Sequence, residues 1–108
     1  MKVLQETATR LVLKLGVPLL NHGTCTIDRV AGQVTVAAHM FMWPRRRTVS
    51  LDEVQDVELY RSEATPPDPA RVSYCPALRL LSGRRLFLPG FGRKSSAAAV
   101  ERIRAFLS

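Results

Sequence analysis

Between Thr24 and Trp43, apolar and polar positions alternate on both sides of Ala31-Gly32. Cys25 and Ile27 form the inward pair of the first run. In the second, Val34, Val36, Ala38, Met40 and Met42 share one side, against Gln33, Thr35, Ala37, His39 and Phe41. A period of two marks a strand with one face in a core, and Gly32 can take the positive φ of a tight turn. The pattern predicts strands over Thr24–Val30 and Gln33–Trp43. Pro44 ends the second, because it has no N–H for a sheet ladder. An earlier strand, Thr9–Val17, turns Leu11, Leu13 and Leu15 inward. Gly16, Pro18 and Asn21-His22-Gly23 break the chain after it.

Downstream, Arg45–Ser50 reads as a short strand with Val49 inward. Leu51, Val54 and Val57 then recur every third residue, which suits one helical turn capped by Ser50 or Asp52. Alternation resumes at Val57 and Leu59. Ser62–Arg71, with Pro66-Pro67-Asp68-Pro69, is expected as a solvated loop. Val72–Leu81 is a sixth strand carrying Leu78 and Leu80, placed at an edge or a bulge by Pro76. Ser82-Gly83 makes the turn to a seventh, Arg84–Pro89, with Leu86 and Leu88 inward; Gly90-Phe91-Gly92 is a loop. Only the end of the chain has helical spacing: Val100, Ile103, Phe106 and Leu107 form one apolar stripe, with Ser95 or Ser96 as the cap. Seven strands in a meander leave two open sheet ends, and a terminal helix with this stripe is suited to cover one.

Length adds that 108 residues make a single domain spanning 1–108, large enough for a core without disulfides or metal. Charge adds a direction: 16 basic against 9 acidic residues give +7, which favours anionic partners or serves solubility alone. Cys25 and Cys75 belong to no Cys-x-x-Cys pair and are expected as buried thiols rather than a disulfide. The opening MKVLQETATR has no unbroken apolar region. Leu11–Leu20 contains Lys14 and is too short to span a bilayer. The expected location is cytoplasmic, with membrane-peripheral as the variant.

The order of elements resembles the pleckstrin-homology-like (PH-like) fold, and more narrowly a group of small bacterial PH-like proteins of unknown function. The resembling pieces are Ile27-Asp28-Arg29 before a glycine turn, Val34-x-Val36, and the arginine run ahead of Val49-Ser50-Leu51-Asp52-Glu53-Val54. Ala77-Leu78-Arg79-Leu80-Leu81-Ser82-Gly83-Arg84-Arg85-Leu86 and the ending Ile103-Arg104-Ala105-Phe106-Leu107 follow. The resemblance implies a mainly β fold: a barrel of about seven antiparallel strands in two nearly orthogonal sheets, capped by a C-terminal helix. It also implies a platform for proteins, peptides or phospholipid headgroups, with no catalytic residues. Similar proteins often carry membrane-spanning helices ahead of the Ile-Asp-Arg-like strand. Val17–Gly23 is too short for one, so a soluble form is expected.

The most function-like stretch is Trp43-Pro44-Arg45-Arg46-Arg47, expected at a hairpin tip. An aromatic beside adjacent cations can enter a membrane interface, stack on a base or anchor a protein interface. Its plainer reading is a tryptophan covering one barrel end while arginines solvate it. Arg93, Lys94 and Ser95 at the helix start can hold an anion on free N–H groups, although the spacing is not that of a Walker A loop. Phosphoinositide-binding PH domains use basic positions that Lys14 and Arg29 match, but Ala31 leaves that pattern incomplete. Metal binding would need His22, His39, Cys25 and Cys75 to converge, and nothing in the sequence pairs them. Asp52, Glu53, Asp56 and Glu58 read as a solvated acidic patch opposite the arginines. The expected function is therefore a non-catalytic interaction module for a protein partner or its own copy, without cofactor or small-molecule substrate. Anionic membrane is the alternative, and nucleic acid a weaker third with Phe41 or Trp43 on bases.

Overall fold

A computed structural model describes residues 1–17, 21–40, 43–62, 72–90 and 92–108. Eight strands form two antiparallel sheets, followed by one helix. β1 (Lys2–Glu6), β2 (Arg10–Val17), β3 (Asn21–Asp28), β4 (Gln33–Met40) and β5 (Trp43–Ser50) make a five-stranded meander in chain order. A 3₁₀ turn, Leu51–Glu53, leads to β6 (Val54–Ser62), β7 (Ser73–Leu80) and β8 (Arg85–Phe87), the second sheet. α1 is Arg93–Leu107. Among the described residues no strand ladder joins the two sheets, so the expected barrel is not closed.

The alternating positions explain the core. Leu11, Leu13 and Leu15 of β2, Cys25 and Ile27 of β3, and Val34 and Val36 of β4 are buried against Val57, Leu78, Leu86 and Leu88. The helix adds Ala99, Val100, Ile103 and Phe106, while Val49, Val54, Leu59 and Leu107 pack around this centre half-buried. The helix therefore joins the sheets' inner faces into one apolar centre, as its stripe predicts.

Several expectations are corrected. β1 is additional to the expected strands; only Val3 of its five residues is even half-buried, so it has no apolar period to read. Asn21-His22-Gly23 is strand rather than break. Gly23 lies against β4 so closely that a Cβ there would be 2.2 Å from the Ala37 carbonyl oxygen. The glycine permits close backbone approach within a sheet instead of a turn. The Asp28–Gln33 connection is a four-residue loop. Asp28 Oδ1 accepts the N–H groups of Val30 and Ala31 at 2.9 and 3.0 Å, and Gly32 takes φ 66°. The helical spacing of Leu51, Val54 and Val57 has two sources: the 3₁₀ turn, and a bulge between Val54 and Asp56 that brings Val54 and Val57 to the same side. No side chain caps the 3₁₀ turn at Ser50.

Both prolines sit differently from expectation. Pro44 is the second residue of β5, opposite His39, and does not end a strand. The Leu51 N–H to Gly32 carbonyl bond of 2.8 Å sets the phase of the β4–β5 ladder. Backbone groups of 45, 47 and 49 therefore face β4, and those of 44, 46 and 48 face outward. Pro44 breaks nothing because its nitrogen points off the sheet. Pro76 lies in β7, the middle strand of its sheet, not at an edge. Its carbonyl accepts from Leu88 N–H at 2.9 Å, so its nitrogen also faces β8, where the ladder stops at Ala77–Phe87. The β7–β8 turn is a three-residue loop, Leu81–Gly83, closed by Leu80 N–H to the Arg84 carbonyl and Gly83 N–H to the Leu80 carbonyl.

Candidate functional site

The arginine run is strand rather than hairpin tip. In register, Arg45 is opposite Ala38, Arg46 opposite Ala37 and Arg47 opposite Val36. Directly opposed residues share a sheet face. Arg45 and Arg47 are thus on the core-side face, above Val36 and Ala38, and Arg46 is on the outer face. All three are exposed, and no described residue pairs with any of them. The inner face of β5 is apolar at Val49 and basic at Arg47 and Arg45.

β5 is one edge strand of the first sheet, with β1 the other, and β8 is one edge strand of the second, with β6 the other. Two hollows separate them. One, about 160 Å³, is lined by Val36, Arg45, Arg47, Arg85, Leu86 and Phe87. The other, about 260 Å³, is lined by Ala38, Arg45, Ser62, Ser73, Cys75, Phe87, Leu88, Pro89 and Gly90. Phe87 is 49% exposed and meets Tyr60 edge-on at 4.9 Å. Arg85 is hydrogen-bonded to Glu58, whose carboxylate raises the guanidinium pKa. β8 contributes an aromatic edge and a cation paired with Glu58; β5 contributes two cations that no described residue pairs.

Trp43 begins β5 opposite Met40; its side chain lies outside the described residues, as do Phe41, Met42 and residues 63–71 of the expected Ser62–Arg71 loop, whose first residue, Ser62, is the end of β6. Arg93, Lys94 and Ser95 do not join the β5 cations in any described groove. The helix N-cap is Gly92, with no side-chain cap bond, which corrects the serine caps. Ser95 Oγ instead accepts from the Met1 ammonium at 2.9 Å. Ser96 is buried and donates to the Tyr74 carbonyl at 2.9 Å, and Arg93 lies 5.8 Å from the Tyr74 ring centre. Two of these three polar groups at the helix start already have partners within the fold.

Arg29 is also committed to the fold. Its guanidinium donates to the carbonyls of Ala8 (3.1 Å) and Phe106 and lies 4.3 Å above the Phe106 ring. Lys14 is on the outer face, opposite Thr24, so the headgroup pattern loses its second member. The acidic patch is partly consumed: Glu58 pairs with Arg85, and Asp56 lies 3.7 Å from Arg104. A further hollow, about 420 Å³ between β6 and α1, is lined by Arg29, Asp56 and Arg104 among others. Its charges are satisfied internally, with Arg104 also donating to the Val57 carbonyl at 2.6 Å.

His22 and His39 stack at 5.3 Å on the outer face, away from Cys25. Among the described residues no three His, Cys, Asp or Glu groups converge as a metal set. Both cysteines are free. Cys25 is buried, and burial pushes its thiol up to about 12. Cys75 is only half-buried, a correction, and burial raises its pKa too. Among the described residues no helix is long and apolar enough to cross a membrane. No family model matches the chain, and no curated protein matches it.

Proposed function

We propose that the chain is a non-catalytic interaction module of the PH-like type that takes an acidic protein partner on the basic β5 edge. Two antiparallel meanders followed by one terminal helix support the fold part of this reading, with β1 added to the seven-strand pattern. The observation that carries the function is that no described residue partners Arg45, Arg46 or Arg47 on this edge strand, while Arg29, Arg85, Arg102 and Arg104 are engaged elsewhere in the fold. Cations of this kind accelerate encounter with an acidic surface and cost the fold little.

The second reading, peripheral binding to anionic lipid, rests on the outer face, where Arg46 and Arg10 line one shallow polar groove. Co-sedimentation separates the two. The wild-type chain should bind immobilised poly-L-glutamate more strongly than phosphatidylglycerol vesicles at equal charge. Replacing Arg45, Arg46 and Arg47 together by Ser should abolish that binding with a nearly unchanged melting temperature. Vesicle binding without polyglutamate binding would replace this reading with the membrane one.

A further inference from the structure

Resting on that reading, we infer that the partner is an acidic peptide in extended conformation. It adds as a strand to the outer edge of β5, with its carboxylates over Arg45 and Arg47 in the gap facing β8. The backbone supports this first. Ladder phase leaves the N–H groups of Arg46 and Thr48 and the carbonyls of Pro44, Arg46 and Thr48 pointing away from β4, and no described residue bonds to them. An unpaired edge of this kind is a template for strand addition. The side chains supply the second support. A strand added to β5 places alternate residues on the face of Arg45 and Arg47, so a peptide with carboxylates at every second position meets both cations from one side.

Shape favours a strand over a compact ligand. The two hollows, about 260 and 160 Å³, meet at Arg45 and Phe87 and run along the sheet edges rather than forming one concave small-molecule pocket. They suit side chains of a strand rather than a whole ligand. Charge disfavours a second copy of this chain: pairing β5 with a β5 mate about Arg46 sets Arg45, Arg46 and Arg47 against the same three cations, and like charges directly opposite destabilise a sheet. Pro44 and the arginines therefore guard the edge against its own kind while leaving it open to an acidic strand.

The test uses the full chain at physiological ionic strength. The probe is a fluorescein-labelled octapeptide alternating Glu and Val, alongside the same peptide with alternate amides N-methylated and phosphatidylglycerol vesicles. The unmodified peptide should bind, and N-methylation should weaken it about tenfold or more through loss of ladder bonds. Arg45→Glu/Arg47→Glu should weaken it by a similar factor or more, whereas Arg46→Glu, on the other face, should change it by less than about threefold because of screening. Amide exchange should slow at Arg46 and Thr48 when peptide is added, and Thr48→Pro, which removes one outward donor, should abolish the slowing. If Thr48→Pro does not fold, the N-methylated peptide and the exchange at Arg46 still decide. Equal binding of both peptides with arginine dependence would overturn strand addition and leave the acidic-partner reading standing. Failure of both peptides and of polyglutamate, with vesicles bound, would overturn both.

Discussion

Phe106→Ala tests whether the helix is part of the fold or an appended arm. Phe106 is 8% exposed, in the shared core with Ile103 and Val100 and with inner-face leucines of both sheets. Truncating a buried phenylalanine costs about 3–5 kcal/mol through lost transfer energy and the cavity left behind. The ring also receives Arg29 at 4.3 Å, and a cation over an aromatic face contributes about 0.5–1 kcal/mol where partly exposed. A combined loss of about 4 kcal/mol is a large share of the roughly 5–15 kcal/mol that holds a domain of this kind. With a urea m-value of about 2 kcal/mol/M, the midpoint should fall by about 2 M. The assay is equilibrium urea unfolding followed by circular dichroism, with exposed Glu101→Ala as the control. A loss below about 0.5 kcal/mol, with the same m-value, would refute the reasoning, because the helix would then contribute no burial that folding depends on.

Arg29→Met should cost about 1–3 kcal/mol in the same assay, since two carbonyls, Ala8 and Phe106, lose a charged donor; no loss would return Arg29 to the pool of free cations. Gly23→Ala should cost about 3 kcal/mol or more, because the added methyl meets β4 backbone at 2.2 and 2.7 Å and no rotamer relieves it; an unchanged melting curve would show that β3 and β4 do not approach as described. Cys75 should react with a thiol reagent before Cys25 in the native state, and both promptly in guanidinium. The Cys25 pKa, raised from 9.0 to about 12 by burial, makes its contribution complete below pH 9 and lost progressively from pH 9 to about 12, where the unfolded thiol ionises and the folded one does not. Cys25→Ala should flatten that part of the stability–pH curve, and an unchanged slope would exclude a buried thiol as its cause.

The chain's apolar pattern is enough to assign the inner faces and the helix. Leu11, Leu13, Leu15, Ile27, Val34 and Val36 are buried because alternation admits only one core-side face, and Ile103 and Phe106 because their spacing fits only a helix stripe. It could not announce β1, whose exposed residues carry no period, nor distinguish a bulge from a helical turn at Val54–Val57, since both bring every third residue to one side. The arginine run was legible as unusual chemistry, but its arrangement was not. Only the β4–β5 register separates Arg45 and Arg47 from Arg46, and only packing decides that Arg29 is consumed by Phe106 while the β5 arginines are not. Local pattern reports which face a residue is on; which groups remain unsatisfied depends on what distant segments bring to them, and that is decided by tertiary structure.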